Sequence, residues 1–217
     1  VGVFAWATGL TTMVIAMEPR RLQRVGGAAY FLVLVIVATA ALLIGHRFLQ
    51  LYPLTPDQQS LIESAVLFLT WGLGILLAIV PFILWLGPMA DETPLAIIAV
   101  LLGLGQPIGL WLLYSLIAQY PRLLEGSNLL AILGYGGIAT LLVGGLLCAL
   151  ERRAGRFMSF AALFALGFIL LDLSRGTLEG MTFAVVETFA RAVGLVLIAA
   201  SVTIARNLDS KRVEYFA

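Results

Sequence analysis

Residues 128–150 read NLLAILGYGGIATLLVGGLLCAL, without a charged side chain from end to end. A hydrocarbon core of about 30 Å is crossed by roughly 20 residues of helix, so this stretch is long enough and apolar enough to span a bilayer. Six further stretches meet the same test. The predicted spans are 1–17, 25–45, 60–86, 94–118, 128–150, 158–174 and 182–204. Composition agrees: 61% of the 217 residues are hydrophobic, 12% are charged and the mean hydropathy is +1.05. Soluble domains run at about 45–50% apolar and 25% charged. The expected fold class is therefore all-α, a polytopic transmembrane bundle of about seven helices. No composition break, Ser-rich linker or low-complexity run divides it, so 1–217 is read as one domain.

A net charge of +1 and the lack of a basic cluster interleaved with aromatics give no nucleic-acid signal. The single cysteine, Cys148, excludes an intrachain disulfide and reads as a small packing residue. Lys and Arg accumulate on the cytoplasmic side of membrane proteins. Arg20, Arg21, Arg24, Arg152, Arg153, Arg156, Arg206, Lys211 and Arg212 fall on one side of the predicted topology, and only Arg47, Arg122 and Arg175 on the other. Nine against three places the C-terminus inside and the N-terminus outside. The first span has no basic leader region and no small-residue cleavage site. Together with an opening Val1, this leads to the expectation of a processed or partial chain.

Prolines punctuate the middle of the sequence. In ILLAIVPFILWLGPMADETPL (75–95), Pro81 lies inside a span, and Pro88 and Pro94 bracket a short polar turn; Gln106-Pro107 interrupts the next span. Proline removes a backbone donor and clashes with the preceding turn, so helix breaks are expected at Pro81 and Pro107. Each reads either as a simple kink or as part of an ion pathway. Gln106 is placed to bond the carbonyl that Pro107 frees. Gly134, Gly136, Gly137, Gly144 and Gly145 read as sites of close helix approach.

The order PFILWLGPMADETP (81–94), GYGGIATLLVGGLLCALERRAGRFMSFAALFALGFILL (134–171) and VVETFARAVGLVL (185–197) resembles the antiporter-like subunits of proton-pumping NADH:quinone oxidoreductase (complex I). The same family includes subunits of membrane-bound hydrogenases and multisubunit sodium/proton antiporters. Its members show a PFHxWLPDAHxxAP-like turn, a DxKRLLAYSSIAHMGF-like stretch and a later HAxxKA-like helix. Here the frame is kept at Pro81, Phe82, Trp85, Leu86, Pro94, Arg156, Gly167 and Phe168. The titratable positions are not kept. The resemblance puts Leu76 and Pro107 where the family has lysines, a residue near Ala5 where it has a glutamate, and Ile83, Ala90 and Ala165 where it has histidines. None of these side chains can carry a proton.

Glu187 and Arg191 then stand where the resemblance implies the family's histidine and lysine. Four residues apart on a helix, they share one face, with the acid N-terminal to the base in the favourable order. The expectation is a neutralising intramembrane charge pair; the alternative is a gate or relay. Arginine keeps its proton in proteins, which weakens the relay. A possible polar pathway adds Gln106, Asp172 and Arg175, the last two also readable as an interfacial pair at a helix end. Glu63 reads as a first-turn acid. His46 reads as an outer-interface anchor, or else as a proton donor.

The resemblance implies a diverged membrane-arm subunit of a complex-I-related assembly, structural because its proton-relay residues are lost. Two alternatives stay open: an ion-translocating subunit with a rebuilt pathway, for H⁺ or Na⁺, and an independent membrane assembly factor. No cofactor is expected, since one Cys and one His offer no flavin, cluster or metal ligand set; any redox chemistry of the respiratory chain belongs to partners. Those partners are other membrane subunits and lipids, in a bacterial-type inner membrane.

Overall fold

A computed structural model describes residues 26–52, 59–121, 123 and 128–215. The expected span 1–17 lies outside them, as do Arg20, Arg21, Arg24, Arg122 and the side chains of Arg206, Lys211 and Arg212. The helices are α1 (Gly26–Leu51), α2 (Gln59–Leu77), α3 (Leu86–Glu92), α4 (Leu95–Val100), α5 (Gln106–Gln119), α6 (Leu129–Leu150), α7 (Ala154–Ser174) and α8 (Leu178–Tyr215). A 3-10 turn, Ile83–Trp85, leads into α3. A π-helical stretch, Leu101–Gly105, joins α4 to α5, giving one span over Leu95–Gln119. Among the described residues, six helices are long and apolar enough to cross a membrane and no strand occurs, as an all-α transmembrane bundle requires.

The axis of the bundle is α7. It carries no charge between Arg156 and Asp172, and Met158, Leu163, Leu166, Ile169 and Leu170 along it have no exposed surface. Helices α6 and α8 pack on it from two sides, α8 also meets α4 and the π-helical stretch, and α1 lies along α2. The outer faces of α6 and α8 stay apolar and uncovered, with Tyr135, Leu142, Phe183 and Phe189 exposed. Lipid tails are as apolar as leucine, so such faces carry no penalty in a bilayer.

Not all the glycines expected at close contacts are needed there. A Cβ at Gly144 would sit 2.7 Å from the Phe164 backbone nitrogen, and one at Gly137 would sit 3.1 Å from the Gly167 carbonyl oxygen. Gly134 and Gly136 meet only side chains at ordinary distances of 3.4–3.5 Å. The α6–α7 seam thus depends on Gly144, Gly137 and, from the opposite helix, Gly167. Gly144→Ala should destabilise the bundle by about 1–3 kcal/mol, the usual penalty for overpacking against backbone. Gly134→Ala should stay within about 0.5 kcal/mol of the parent, and unfolding midpoints in mixed detergent micelles separate the two.

Several boundaries differ from the sequence reading. Span 60–86 is not one helix: α2 stops at Leu77 and the chain resumes helical form only at Ile83. The polar turn between Pro88 and Pro94 is mostly helical, as α3, because a proline near a helix start gives up an amide that has no partner anyway. Helix α1 runs on to Leu51, so His46 and Arg47 lie inside it. Arg156 lies in the first turn of α7, not in a loop. Glu63, exposed, falls in the second turn of α2, which begins at Gln59.

Candidate functional site

The end of α2 is the most organised polar feature within the membrane-spanning region. Ala78 adopts a left-handed conformation at φ 60. The Ile79 amide donates to the Gly74 carbonyl at 2.9 Å and the Ala78 amide to the Ile75 carbonyl at 3.3 Å. This pattern is a Schellman termination, in which glycine is the usual left-handed residue. Pro81 follows and prevents the helix from resuming at once.

The polar groups freed at this break are met from elsewhere in the bundle. Gln106 on α5 donates from Nε2 to the Leu77 carbonyl at 2.7 Å, with only 2% of its surface exposed. Thr140 on α6 accepts the Val80 amide at 3.1 Å through Oγ1, and Trp85 donates from Nε1 to the Ile75 carbonyl at 2.9 Å. Unpaired backbone groups in hydrocarbon are costly by several kcal/mol, so a break in a spanning helix persists only when it is satisfied in this way. Gln106 therefore serves the carbonyl freed near Pro81, in a neighbouring helix, and not the one freed by Pro107 as expected. Pro107 does not break its span. The π-helical stretch before it widens the backbone and absorbs the missing donor, and the helix continues. Leu76, where the resemblance implies a lysine, is buried in the apolar core.

The second polar feature is on α8. Arg191 is 8% exposed and directs Nη1 to the Ala162 carbonyl of α7 at 3.4 Å, while its Nε and Nη2 are buried without partners among the described residues. One turn earlier, Oε2 of Glu187 is also buried without a partner among the described residues. Among the described residues no ion pair joins Glu187 to Arg191. The expected neutralising pair is not formed, because the guanidinium reaches sideways to α7 and not back along its own helix. Ala192 beside it packs its backbone against Gly103 of the π-helical stretch, at 3.6 Å from where a Cβ would be. The Tyr114 hydroxyl of α5 is a further buried group without a partner among the described residues.

The third feature lies at one membrane face. Asp91, at the end of α3, accepts hydrogen bonds from Arg153 Nη1 at 3.0 Å and Arg156 Nε at 2.8 Å, with a further short contact to Arg156 Nη2. Next to it, Glu92 Oε2 accepts the Gly27 amide at 2.6 Å, placing a carboxylate at the N-terminus of α1. The dipeptide Asp91-Glu92 thus ties α3 to both α7 and α1. Its partners are two arginines that the sequence marks as topology signals and, for Arg156, as part of the family frame.

Hydrogen bonding from Arg156, ahead of the contribution of Arg153, holds the Asp91 carboxyl below the usual carboxylate range against the opposing effect of partial burial. A lowered acid stabilises the fold above its ordinary pKa of about 3.9, and that stabilisation is lost as pH falls through the folded value. Asp91→Asn should cost about 1 kcal/mol near neutrality, where charge-assisted bidentate contacts are offset by solvent screening. The difference between variant and parent should vanish as an acid titration proceeds below about pH 4. Thermal unfolding across that titration checks it; a deficit that persists unchanged in acid means the clamp is steric.

At the opposite ends of the helices, Arg175 Nε lies 3.6 Å from Asp172 Oδ1. The ring of His46 shares a 3.0 Å contact with Gln50 Nε2 and lies edge-on to Tyr120. The structure brings neither pair to Gln106 or Arg191 through a hydrogen bond. Sequence reasoning passed over Asp91, Glu92 and Thr140. For the first two a signal existed: adjacent acids in an apolar chain with arginines on the same predicted side. Thr140, one hydroxyl in an apolar run, gave none.

Residues 4–216 match the family described as NADH:quinone oxidoreductase/Mrp antiporter, TM. NADH-quinone oxidoreductase subunit N of Azobacteroides pseudotrichonymphae is 29% identical over 130 residues, covering 59% of this chain and 26% of that protein. Subunit N 1 of Roseiflexus castenholzii is 29% identical over 178 residues, covering 78% of this chain and 30% of that protein. The chain therefore spans about a third or less of the length of these curated relatives. In the solved Mrp complex from a Dietzia species, one chain superposes with a TM-score of 0.66 at 22% identity, over 81% of this chain and 34% of that one, which supports the same fold. With all but its first three residues and its last inside the matched region, the chain belongs to the family of NADH:quinone oxidoreductase and Mrp antiporter transmembrane subunits.

Proposed function

We propose that this chain forms a single membrane domain acting as a structural element of a membrane-arm subunit in a complex-I- or Mrp-type assembly. In this reading it sits in a bacterial-type inner membrane with its C-terminus inside, and the face bearing Asp91, Arg153 and Arg156 is cytoplasmic. The observation that carries the structural role is the neutral closure of the helix break. The carbonyl of Leu77 is occupied by the Gln106 amide, Leu76 is buried in apolar core, and Pro107 is spent on backbone geometry. A proton path needs titratable groups in sequence across the membrane, and none stands at this break.

One observation favours the rival reading, ion translocation by a rebuilt route: Glu187, Arg191 and Tyr114 keep buried polar atoms without partners among the described residues. Such atoms are where water enters a membrane protein. Reconstituting the chain in vesicles under an imposed pH gradient separates the readings. The expected result is the leak of protein-free vesicles; saturable proton or sodium flux abolished by Glu187→Gln would replace the structural role with the rival. Mild extraction is expected to recover the chain with larger membrane partners, and a fully active lone monomer would remove the assembly itself from the reading.

A further inference from the structure

At the membrane face carrying the Asp91 clamp, a polar cavity of about 610 Å³ opens between the α3–α4 junction and the α6–α7 turn. Its walls include Asp91, Glu92, Thr93, Arg152, Arg153 and Gly155. Both walls are ends of membrane-spanning helices, so the cavity lies at the depth of lipid headgroups.

The hydrogen-bonding capacity of these groups is only partly used. Asp91 is taken by Arg153 and Arg156. Glu92 gives Oε2 to the Gly27 amide, and its second oxygen accepts no hydrogen bond among the described residues. Arg152 is exposed and makes no ion pair among the described residues. Thr93 is 9% exposed, and its hydroxyl has no hydrogen-bond partner among the described residues. Helix α7 starts at Ala154 with no side-chain cap, so the amides of its first turn have no intrahelical acceptor. These features are independent of one another. An anionic oxygen group placed here meets a guanidinium, the hydroxyl of a mostly buried threonine and a helix N-terminus together.

Charge decides which headgroup fits. The walls carry two carboxylates and two guanidiniums, which sum to zero. A headgroup of net charge zero, with its own anion and cation, is complementary; a purely anionic one places uncompensated charge beside Glu92. We propose that this cavity binds the headgroup of a zwitterionic phospholipid bearing a primary ammonium. Its phosphodiester meets Arg152, Thr93 and the α7 amides, and its ammonium meets the open oxygen of Glu92. The lipid thereby bridges α3–α4 and α6–α7 at the same face as the Asp91 clamp. This assignment is independent of whether the chain conducts ions.

The test uses the full chain in a neutral detergent, titrated with short-chain phosphatidylethanolamine, phosphatidylcholine, phosphatidylglycerol or inorganic phosphate, with the unfolding midpoint as readout. Phosphatidylethanolamine should raise the midpoint saturably. Phosphatidylcholine, whose cation has no N–H to donate, and phosphatidylglycerol, which has no cation, should bind about fivefold or more weakly, the equivalent of one exposed charged contact. Inorganic phosphate should give no shift. Arg152→Gln should weaken phosphatidylethanolamine about fivefold while leaving the lipid-free midpoint unchanged, since the exposed Arg152 side chain makes no ion pair among the described residues. Thr93→Val should weaken it in the same direction. Equal binding of all three lipids, indifference to Arg152→Gln, tighter binding of phosphatidylglycerol, or a shift from phosphate alone would each overturn the assignment.

Discussion

Arg191→Met should make the isolated chain more stable, not less. Arg191 is a guanidinium almost wholly removed from solvent, with one long hydrogen bond to the Ala162 carbonyl and two nitrogens without partners among the described residues. Replacing buried ionic groups by apolar side chains of similar volume is commonly neutral or stabilising, by about 1–4 kcal/mol. Methionine fills most of the same space, and the Ala162 carbonyl it leaves lies inside α7, where the helix ladder still supplies a donor. Unfolding of the detergent-solubilised variant measures the gain. Under the structural role proposed above, in which a neighbouring subunit meets these nitrogens, the yield of assembled complex should fall at the same time. A rise in both stability and assembly would leave Arg191 without a role in either. A loss of more than about 2 kcal/mol in the isolated chain would mean that an ordered water or ion satisfies the guanidinium.

The sequence alone gives the opposite sign for Arg191→Met, a loss. Two charges four residues apart on a helix predict a pair, and a pair predicts that Glu187→Gln does the greater harm by stranding the arginine. The spacing was legible, as was the shared face. What was not legible is the direction of a long flexible side chain, which depends on a carbonyl of α7 some 29 residues away. The same limit applies at Gln106. Its polarity in an apolar span marked it, and the nearby Pro107 suggested its partner, yet the bonded carbonyl is that of Leu77. Most span boundaries were readable because hydropathy fixes them to within a turn or so. The α2 break was readable as an event at Pro81 but not in position, since the helix ends three residues before the last amide that proline allows.

The other large effect belongs to that break. Ala78→Val should destabilise the bundle by about 3 kcal/mol or more. Ala78 has no exposed surface and sits at φ 60, a conformation that is an outlier for a β-branched residue. Two added methyl groups also overpack a filled site, by about 1–3 kcal/mol. Ala78→Gly is the control. It relieves about 1–2 kcal/mol of left-handed strain but loses about 0.8 kcal/mol of buried methyl and about 0.5–1 kcal/mol of backbone entropy, so it should be close to neutral. Midpoints for both variants decide the matter. A tolerated valine would mean that α2 ends differently in the membrane; a strongly stabilising glycine would mean that the alanine methyl packs against little.

Helix α8 is unbroken from Leu178 to Tyr215. At 1.5 Å per residue, the part beyond Arg191 extends about 36 Å, more than the hydrocarbon core that the whole helix has to cross. The bundle grips α8 at the buried guanidinium and on through Leu195 and Ala199, both in the core, and the remaining length projects from that grip. This is the geometry of a lever with its fulcrum inside the membrane. A tilt of about 5° about the last gripped turn, at Ala199, would displace the far end of the helix, about 24 Å away, by about 2 Å. A small movement inside the bilayer would thereby reach the aqueous surface as a larger one.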